Sequence, residues 1–271
     1  MNLTTEEKIP QVLYKYRDLS EPARVRQIIV DNKVWFSSPA GLNDPFDCKV
    51  HTSFKGTARE YKQHMLRLLK KYRPSLNRQQ RQAENARIFR QEKRHKDPGL
   101  FSRVAADVQK EYDKWGVYCL SARNDEVLMW SHYANSHSGV CLGFSHRSVR
   151  PFGPVFQVMY SPELPKVSYL KGGDVEKFSA DFLTKSLQWE HEHEWRVVDR
   201  NKGKGLRQFP PESLVEVILG AKMNQEDRAA IISWIEDRPL KPSLFEARVK
   251  KDMYGLEIHL IAPGTETRGA A

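Results

Sequence analysis

The chain has 271 residues, 39% of them hydrophobic and 10% aromatic, with 44 Lys and Arg against 34 Asp and Glu for a formal charge of +10. That much apolar material supports a sizeable core and excludes wholesale disorder, in one large domain or two small ones. No run of eighteen uncharged apolar residues is present to span a membrane, the start lacks a basic and an apolar leader region, and Cys48, Cys119 and Cys141 are too few and odd in number for a disulfide framework, so a soluble cytoplasmic protein is expected.

The chain opens as strand, helix, strand. Val12–Tyr16 is short and aromatic-rich, Ser20 is placed to cap a helix whose Val25, Ile28 and Ile29 share a face, and Val34–Ser37 is a strand stopped by Pro39 and Gly41. In the next segment Tyr61, Met65, Leu68, Leu69 and Tyr72 recur at three- and four-residue spacing, a single apolar stripe on a charged helix that Pro74 stops. A second, polar helix covers Asn77–His95, and a third runs from about Leu100 to Trp115, where Gly116 breaks it. Val117–Ser121 alternates as a strand. Asn124 and Asp125 cap a short helix with Val127, Trp130, Ser131 and Ala134 on one side. Val140–Phe144 and Val155–Tyr160 read as a hairpin across a Pro/Gly turn.

Asp174 to about Leu187 is an amphipathic helix through Val175, Phe178, Phe182 and Leu183. Glu194–Val198 and Val215–Leu219 are strands, and Asn224 caps a helix using Ile231, Trp234 and Ile235. Phe245–Val249 and Leu256–Ile261 close the chain as a hairpin around Tyr254 and Gly255, and Pro263–Ala271 reads as a frayed tail. Strands and helices do not alternate regularly, which argues against a doubly wound parallel sheet. The expected fold is a single α+β domain: a mixed, mostly antiparallel sheet with flanking helices and a basic helical insertion at about residues 55–115.

The positive charge is concentrated. Between Lys55 and Lys96 fourteen Lys and Arg face only Glu60, Glu84 and Glu92, a local excess larger than that of the whole chain. Such a segment is either a solvated helical face or a cationic surface for a polyanion, RNA or DNA first, held through phosphates because no aromatic side chains interleave for base stacking.

Phosphate-binding glycine loops, H-E-x-x-H, C-x-x-C and G-x-S-x-G are all missing. Cys119, His132, His137 and Cys141 lack zinc-finger spacing, so no metal site is expected. The densest polar cluster is Trp189-Glu190-His191-Glu192-His193-Glu194-Trp195-Arg196. If its latter half is extended, Glu192, Glu194 and Arg196 share one face, and two carboxylates so placed need a nearby cation or a hydrogen-bonding ligand. Arg196 as that cation gives an ion-paired edge strand; a substrate gives a catalytic pair. Two further clusters are Trp35 to Asp47, a strand followed by the turn-forming Asn43-Asp44-Pro45, and Ser121 to Asp125 leading into Trp130-Ser131-His132-Tyr133.

In this order the clusters resemble the bacterial domain of unknown function 2971 family. The resemblance rests on Leu13–Arg17, Trp35–Pro39, Leu42–Asp47, Cys119–Ser121, Met129–Ala134, His137 with Gly139–Phe144, then Tyr160, Lys185, Trp189, Glu192, Glu194–Arg196 and Gly220. That pattern is in turn remotely similar to the ADP-ribosyltransferase superfamily, which splits NAD and transfers ADP-ribose. The similarity implies the split sheet of the ADP-ribosyltransferase fold, with the strands of Lys15, Ser37 and Glu194 converging on one cleft. It implies NAD as substrate, with Lys15 or Arg17 (flanked by Tyr14 and Tyr16) as the first binding motif and Ser37 or Ser38 as the second. Glu194, or Glu192 in a Glu-x-Glu pair, is then the catalytic carboxylate, with Asn43, His132 and Tyr133 beside the cofactor. It also implies a macromolecular acceptor and a toxin or phage-defence role; the charge of residues 55–96 points to RNA or DNA as that acceptor, and an inhibitory partner protein is a further expectation. Two alternatives stay open: a Mg²⁺ nuclease using Glu190, Glu192 and Glu194 with Asp44 or Asp47, and a non-catalytic nucleic-acid-binding module.

Overall fold

A computed structural model describes residues 9–50, 53, 56–92, 100–146, 154–171 and 173–265. Twelve strands and seven α-helices are assigned there. In chain order they are β1 (Val12–Arg17), α1 (Pro22–Ile29), β2 (Lys33–Phe36), α2 (Ala58–Tyr72), α3 (Arg78–Glu92), α4 (Leu100–Tyr112), β3 (Gly116–Ser121), α5 (Val127–Tyr133) and β4 (Val140–Ser145). They continue as β5 (Val155–Gln157), β6 (Met159–Ser161), α6 (Asp174–Phe182), β7 (Thr184–Ser186), β8 (Glu194–Asp199), β9 (Gly205–Gln208), β10 (Leu214–Leu219), α7 (Gln225–Glu236), β11 (Ser243–Val249) and β12 (Leu256–Ala262).

Eight strands form one sheet in the order β12-β11-β10-β4-β1-β3-β8-β5, antiparallel at every junction except β10–β11. This is the mixed, mostly antiparallel α+β architecture expected from the sequence. Alternation along the strands makes two apolar faces. On one, Leu13, Leu120, Leu142, Phe144, Trp195, Val197 and Val217 pack against Val25, Ile28 and Ile29 of α1 and Ile231 and Ile235 of α7. On the other, Tyr16, Cys141 and Ile218 meet Trp130 and Ala134 at α5, and Val117 meets Phe178, Phe182 and Cys48.

The pairing of β1 is lopsided. It matches β4 at all six residues, Val12↔Ser145 through Arg17↔Val140, but matches β3 only at Tyr14↔Ser121. At the far end of β3, Val117 exchanges backbone bonds with Ser37 instead (2.9 and 2.7 Å). The sheet therefore splits between Lys15–Arg17 and Val117–Leu120. The Lys15 ammonium donates to the Cys119 carbonyl at 2.8 Å, occupying an acceptor that a paired strand would have taken.

Several local expectations are corrected. Ser20 does not cap α1: its hydroxyl turns to Asp18, and the helix starts at Pro22, whose fixed φ suits a first turn. The helix expected to run to Leu187 ends at Phe182, and Thr184–Ser186 becomes β7, parallel to β6. Val140–Phe144 and Val155–Tyr160 are not a hairpin. The first is wholly buried and sits between β1 and β10, whereas the second breaks at Val158 into β5, at the sheet edge, and β6. Val127 is exposed, not on the buried side of α5, whose N-cap is Glu126. Of the expected frayed tail, Gly264 and Thr265 bond back to Ser243 and Lys241, and residues 266–271 lie outside the described set.

The basic insertion is helical. A Thr57–Glu60 capping box starts α2, buried Leu69 anchors it, and Arg67 donates to the Leu170 carbonyl. Lys55, Lys93, Arg94 and Lys96 lie outside the described residues. Among the described residues no helix is long and apolar enough to cross a membrane.

Candidate active site

The split in the sheet opens into a cleft with a cavity volume of about 280 Å³. One wall carries Glu192 and Glu194. They are not neighbours on a continuous strand, as the sequence pattern suggested. Residues 187–192 form a 3₁₀ helix, and His193 adopts a left-handed conformation (φ 43°) before β8 begins at Glu194. That reversal turns both carboxylates into the cleft and leaves His193 outside, exposed. Nor does Glu194 sit on an edge strand, since β8 lies between β3 and β5.

Behind this wall is a buried charge network. Arg196 is fully buried and commits all five of its N–H donors. Nη1 and Nη2 grip Asp47 (2.8 and 2.6 Å), Nε and Nη2 grip Glu194 (2.7 and 2.8 Å), and Nη1 also donates to the Phe182 carbonyl at 2.7 Å. Lys185 reaches Glu192 at 2.5 Å, Glu194 at 3.1 Å and Asp47 at 3.6 Å, and its ammonium stands 5.0 Å from the Trp189 ring centre. Tyr133 donates to Glu192 at 2.6 Å and accepts from Asn43 at 2.9 Å. The Glu194 amide donates to the Tyr160 hydroxyl at 2.8 Å.

The two glutamates differ electrostatically. Burial pulls the Glu194 carboxyl upward, but Arg196 and Lys185 outweigh it and hold the group far below the usual carboxylate range. Burial raises Glu192, the charge of Glu194 adds to this, and Lys185 only partly offsets the two. Glu194 is thus a fixed anion and Glu192 a proton acceptor of raised affinity. Burial works against the Lys185 charge, yet Glu194, Glu192 and Asp47 together hold it protonated above its ordinary range. Three carboxylates against two cations leave this wall net negative.

The opposite wall is cationic. Lys15 and Arg17 line it from β1. Burial and then the neighbouring Arg17 charge lower Lys15 to about 8. Arg17 Nε and the Tyr118 hydroxyl are both buried without a hydrogen-bond partner. Two orphaned donors beside an ammonium form a wall suited to an anion. At the rim Trp35, half exposed, offers a flat apolar surface.

The structure therefore gathers Tyr14, Lys15, Tyr16, Arg17, Ser37, Asn43, His132, Tyr133, Glu192 and Glu194 around one cavity. Tyr16 has its hydroxyl committed to the Arg123 carbonyl at 2.8 Å and its ring edge-on to Trp130, so it supports the wall more than it offers a polar contact. His132 is exposed, with its ring 5.9 Å from that of His191. Ser38 does not line the cleft; its carbonyl accepts from the Gly41 amide in the turn at Pro39–Gly41. Glu190 is exposed and does not join Glu192 and Glu194, which bond Lys185 and Arg196. Among the described residues no group of three His, Cys, Asp or Glu side chains is placed to hold a metal ion.

Sequence reasoning did not assign Lys185 as a partner of the glutamates, brought Asp47 to them only as a metal co-ligand in the nuclease alternative, and did not assign Trp35 and Tyr118 as lining residues. Lys185 carried a signal, a lone cation close behind the apolar run Phe182-Leu183.

Residues 129–197 match the model of a family described as a protein of unknown function, DUF2971. The match runs from α5 to β8. It takes in Tyr133, Lys185, Glu192, Glu194 and Arg196 of the anionic wall and leaves Asp47 of that wall, with Lys15 and Arg17, outside. It supports the resemblance to that family read from the sequence. No curated protein and no solved structure gives a significant match.

Proposed function

We propose that the cleft binds NAD and cleaves its nicotinamide–ribose bond, transferring ADP-ribose to a macromolecular acceptor in the manner of ADP-ribosyltransferases. The observation that carries this reading is that one cavity is lined by both charges, Lys15 and Arg17 from β1 and Glu192 and Glu194 at the start of β8. A dinucleotide joining an anionic pyrophosphate to a cationic nicotinamide ring matches that polarity. At about 280 Å³ the cavity is at the small end for ligand sites, so the adenosine half would lie along the rim, where Trp35 offers a stacking surface.

The chemistry needs few groups. The C1′–N bond breaks with its electron pair leaving on nicotinamide, which departs neutral and needs no acid. The ribosyl cation that develops, like that of glycoside cleavage, is stabilised by the fixed negative charge of Glu194. The acceptor's oxygen or nitrogen then bonds C1′ and releases its proton, which Glu192, with its raised proton affinity, is placed to take. The hairpin of α2 and α3 is the docking surface for a nucleic-acid acceptor. No step uses a metal, in contrast to the nuclease alternative.

The test is release of free nicotinamide from NAD by the purified protein, with and without RNA or DNA and with EDTA present. Glu194→Gln, shown folded by circular dichroism, is expected to lose about 10²–10³-fold of the rate, and EDTA to change nothing. A folded Glu194→Gln protein that keeps full NAD cleavage overturns the assignment.

A further inference from the structure

Beyond the Asp47–Lys185 side of the cleft lies a second cavity of about 180 Å³, beside β6 and β7. Asp47 and Lys185 line both cavities. We infer that this second cavity is a binding site for an alkylammonium or guanidinium group, with Asp44 as its counter-charge.

Asp44 lines the cavity and is only 4% exposed. Its Oδ1 accepts from the Phe46 amide at 2.9 Å, the turn expected of an Asp before Pro. Its Oδ2 is buried with no donor. A carboxylate oxygen left so is costly unless a cation or donor meets it. The charged neighbours do not supply one. Both oxygens of Asp47 are gripped by Arg196, and the Lys185 ammonium is engaged by Glu192 and Glu194. Glu163, which also lines the cavity, pairs with Lys166 at 2.6 Å.

The remaining wall fits the stem of such a ligand. Phe46 and Leu164 are 61% and 56% exposed, and Pro162 and Pro165 complete an apolar channel. Long basic side chains bury their methylenes along such surfaces while the charged head finds a carboxylate. With roughly 30 Å³ per water-sized group, the cavity takes a chain of about six non-hydrogen atoms. A Lys or Arg side chain of a polypeptide and a free polyamine share this chemistry.

The experiment measures binding by calorimetry in the absence of NAD, so its result is independent of whether the cleft cleaves NAD. The probes are Nα-acetyl-lysine methylamide, Nα-acetyl-arginine methylamide and spermidine, with neutral Nα-acetyl-norleucine methylamide as control. At least one cation is expected to bind and the neutral probe not to bind. Tighter binding of a capped amino acid assigns the site to a polypeptide side chain, and tighter binding of spermidine to a polyamine. Asp44→Asn keeps the Oδ1 acceptor of the turn and is expected to weaken binding at least tenfold. Leu164→Lys, on the exposed rim, is expected to plug the cavity with its own ammonium and give the same loss without touching the buried turn. Failure of every cation to bind at millimolar concentration, or undiminished binding by both Asp44→Asn and Leu164→Lys, overturns the inference.

Discussion

Arg196 shows how much can rest on one side chain. Every one of its donors is used, and removing it leaves Asp47 and Glu194 buried side by side with only Lys185 between them. Breaking a buried pair on one side typically costs about 3–5 kcal/mol. Arg196→Met is therefore expected to lower the urea midpoint by a corresponding amount or leave the protein insoluble. Arg196→Lys should recover little, because an ammonium cannot grip two carboxylates in bidentate fashion.

Lys15 gives a residue-scale prediction in pH. Its proton is lost near 8, because burial and Arg17 disfavour its charge more than Glu194 and Glu192 favour it. Attraction for a pyrophosphate is thus present below that value and falls as the pH rises through it. The ratio kcat/KM, which reports groups of the free protein, should decline above about pH 8. Lys15→Arg stays charged and should hold its activity through that range, as measured in nicotinamide release across pH 6.5–9.5.

At the scale of elements, the hairpin of α2 and α3 was legible in advance as two basic helices. The spacing of Tyr61, Met65, Leu68, Leu69 and Tyr72 and the stop at Pro74 were sufficient, since an insertion that buries little is governed by local pattern. Its exposed face includes Arg59, Lys70 and Arg78. Replacing these three by Glu is expected to weaken RNA or DNA binding uniformly across sequences. It should also flatten the dependence of log K on log salt by roughly one for each phosphate no longer neutralised, read by fluorescence anisotropy at several salt concentrations. The elements misread were those decided by distant partners. Thr184–Ser186 left the helical pattern to pair with β6, and Val155–Gln157 found β8 instead of β4.

At the scale of the whole molecule, the site exists because β1 is fully paired on one side and barely on the other. Gly139 supports that arrangement. A side chain there would meet the Arg17 carbonyl within 2.2 Å, so only glycine lets the turn after α5 close on β1 and hold Tyr133 over the cleft. Asn135, Ser136 and His137, all with positive φ, make that turn.

The sequence by itself determined the α+β class, most strands and helices, the basic insertion and the presence of a paired-glutamate cluster, because these follow from periodicity, turn residues and composition. Only the tertiary structure decided that Glu192 and Glu194 meet across a left-handed His193, that Lys185 and Asp47 complete their charge network, and that the pairing of β1 with β3 stops at Tyr14↔Ser121. Those features depend on which strands pair and where pairing stops. That choice is settled by the burial of many residues far apart in the chain and is not encoded in any local run.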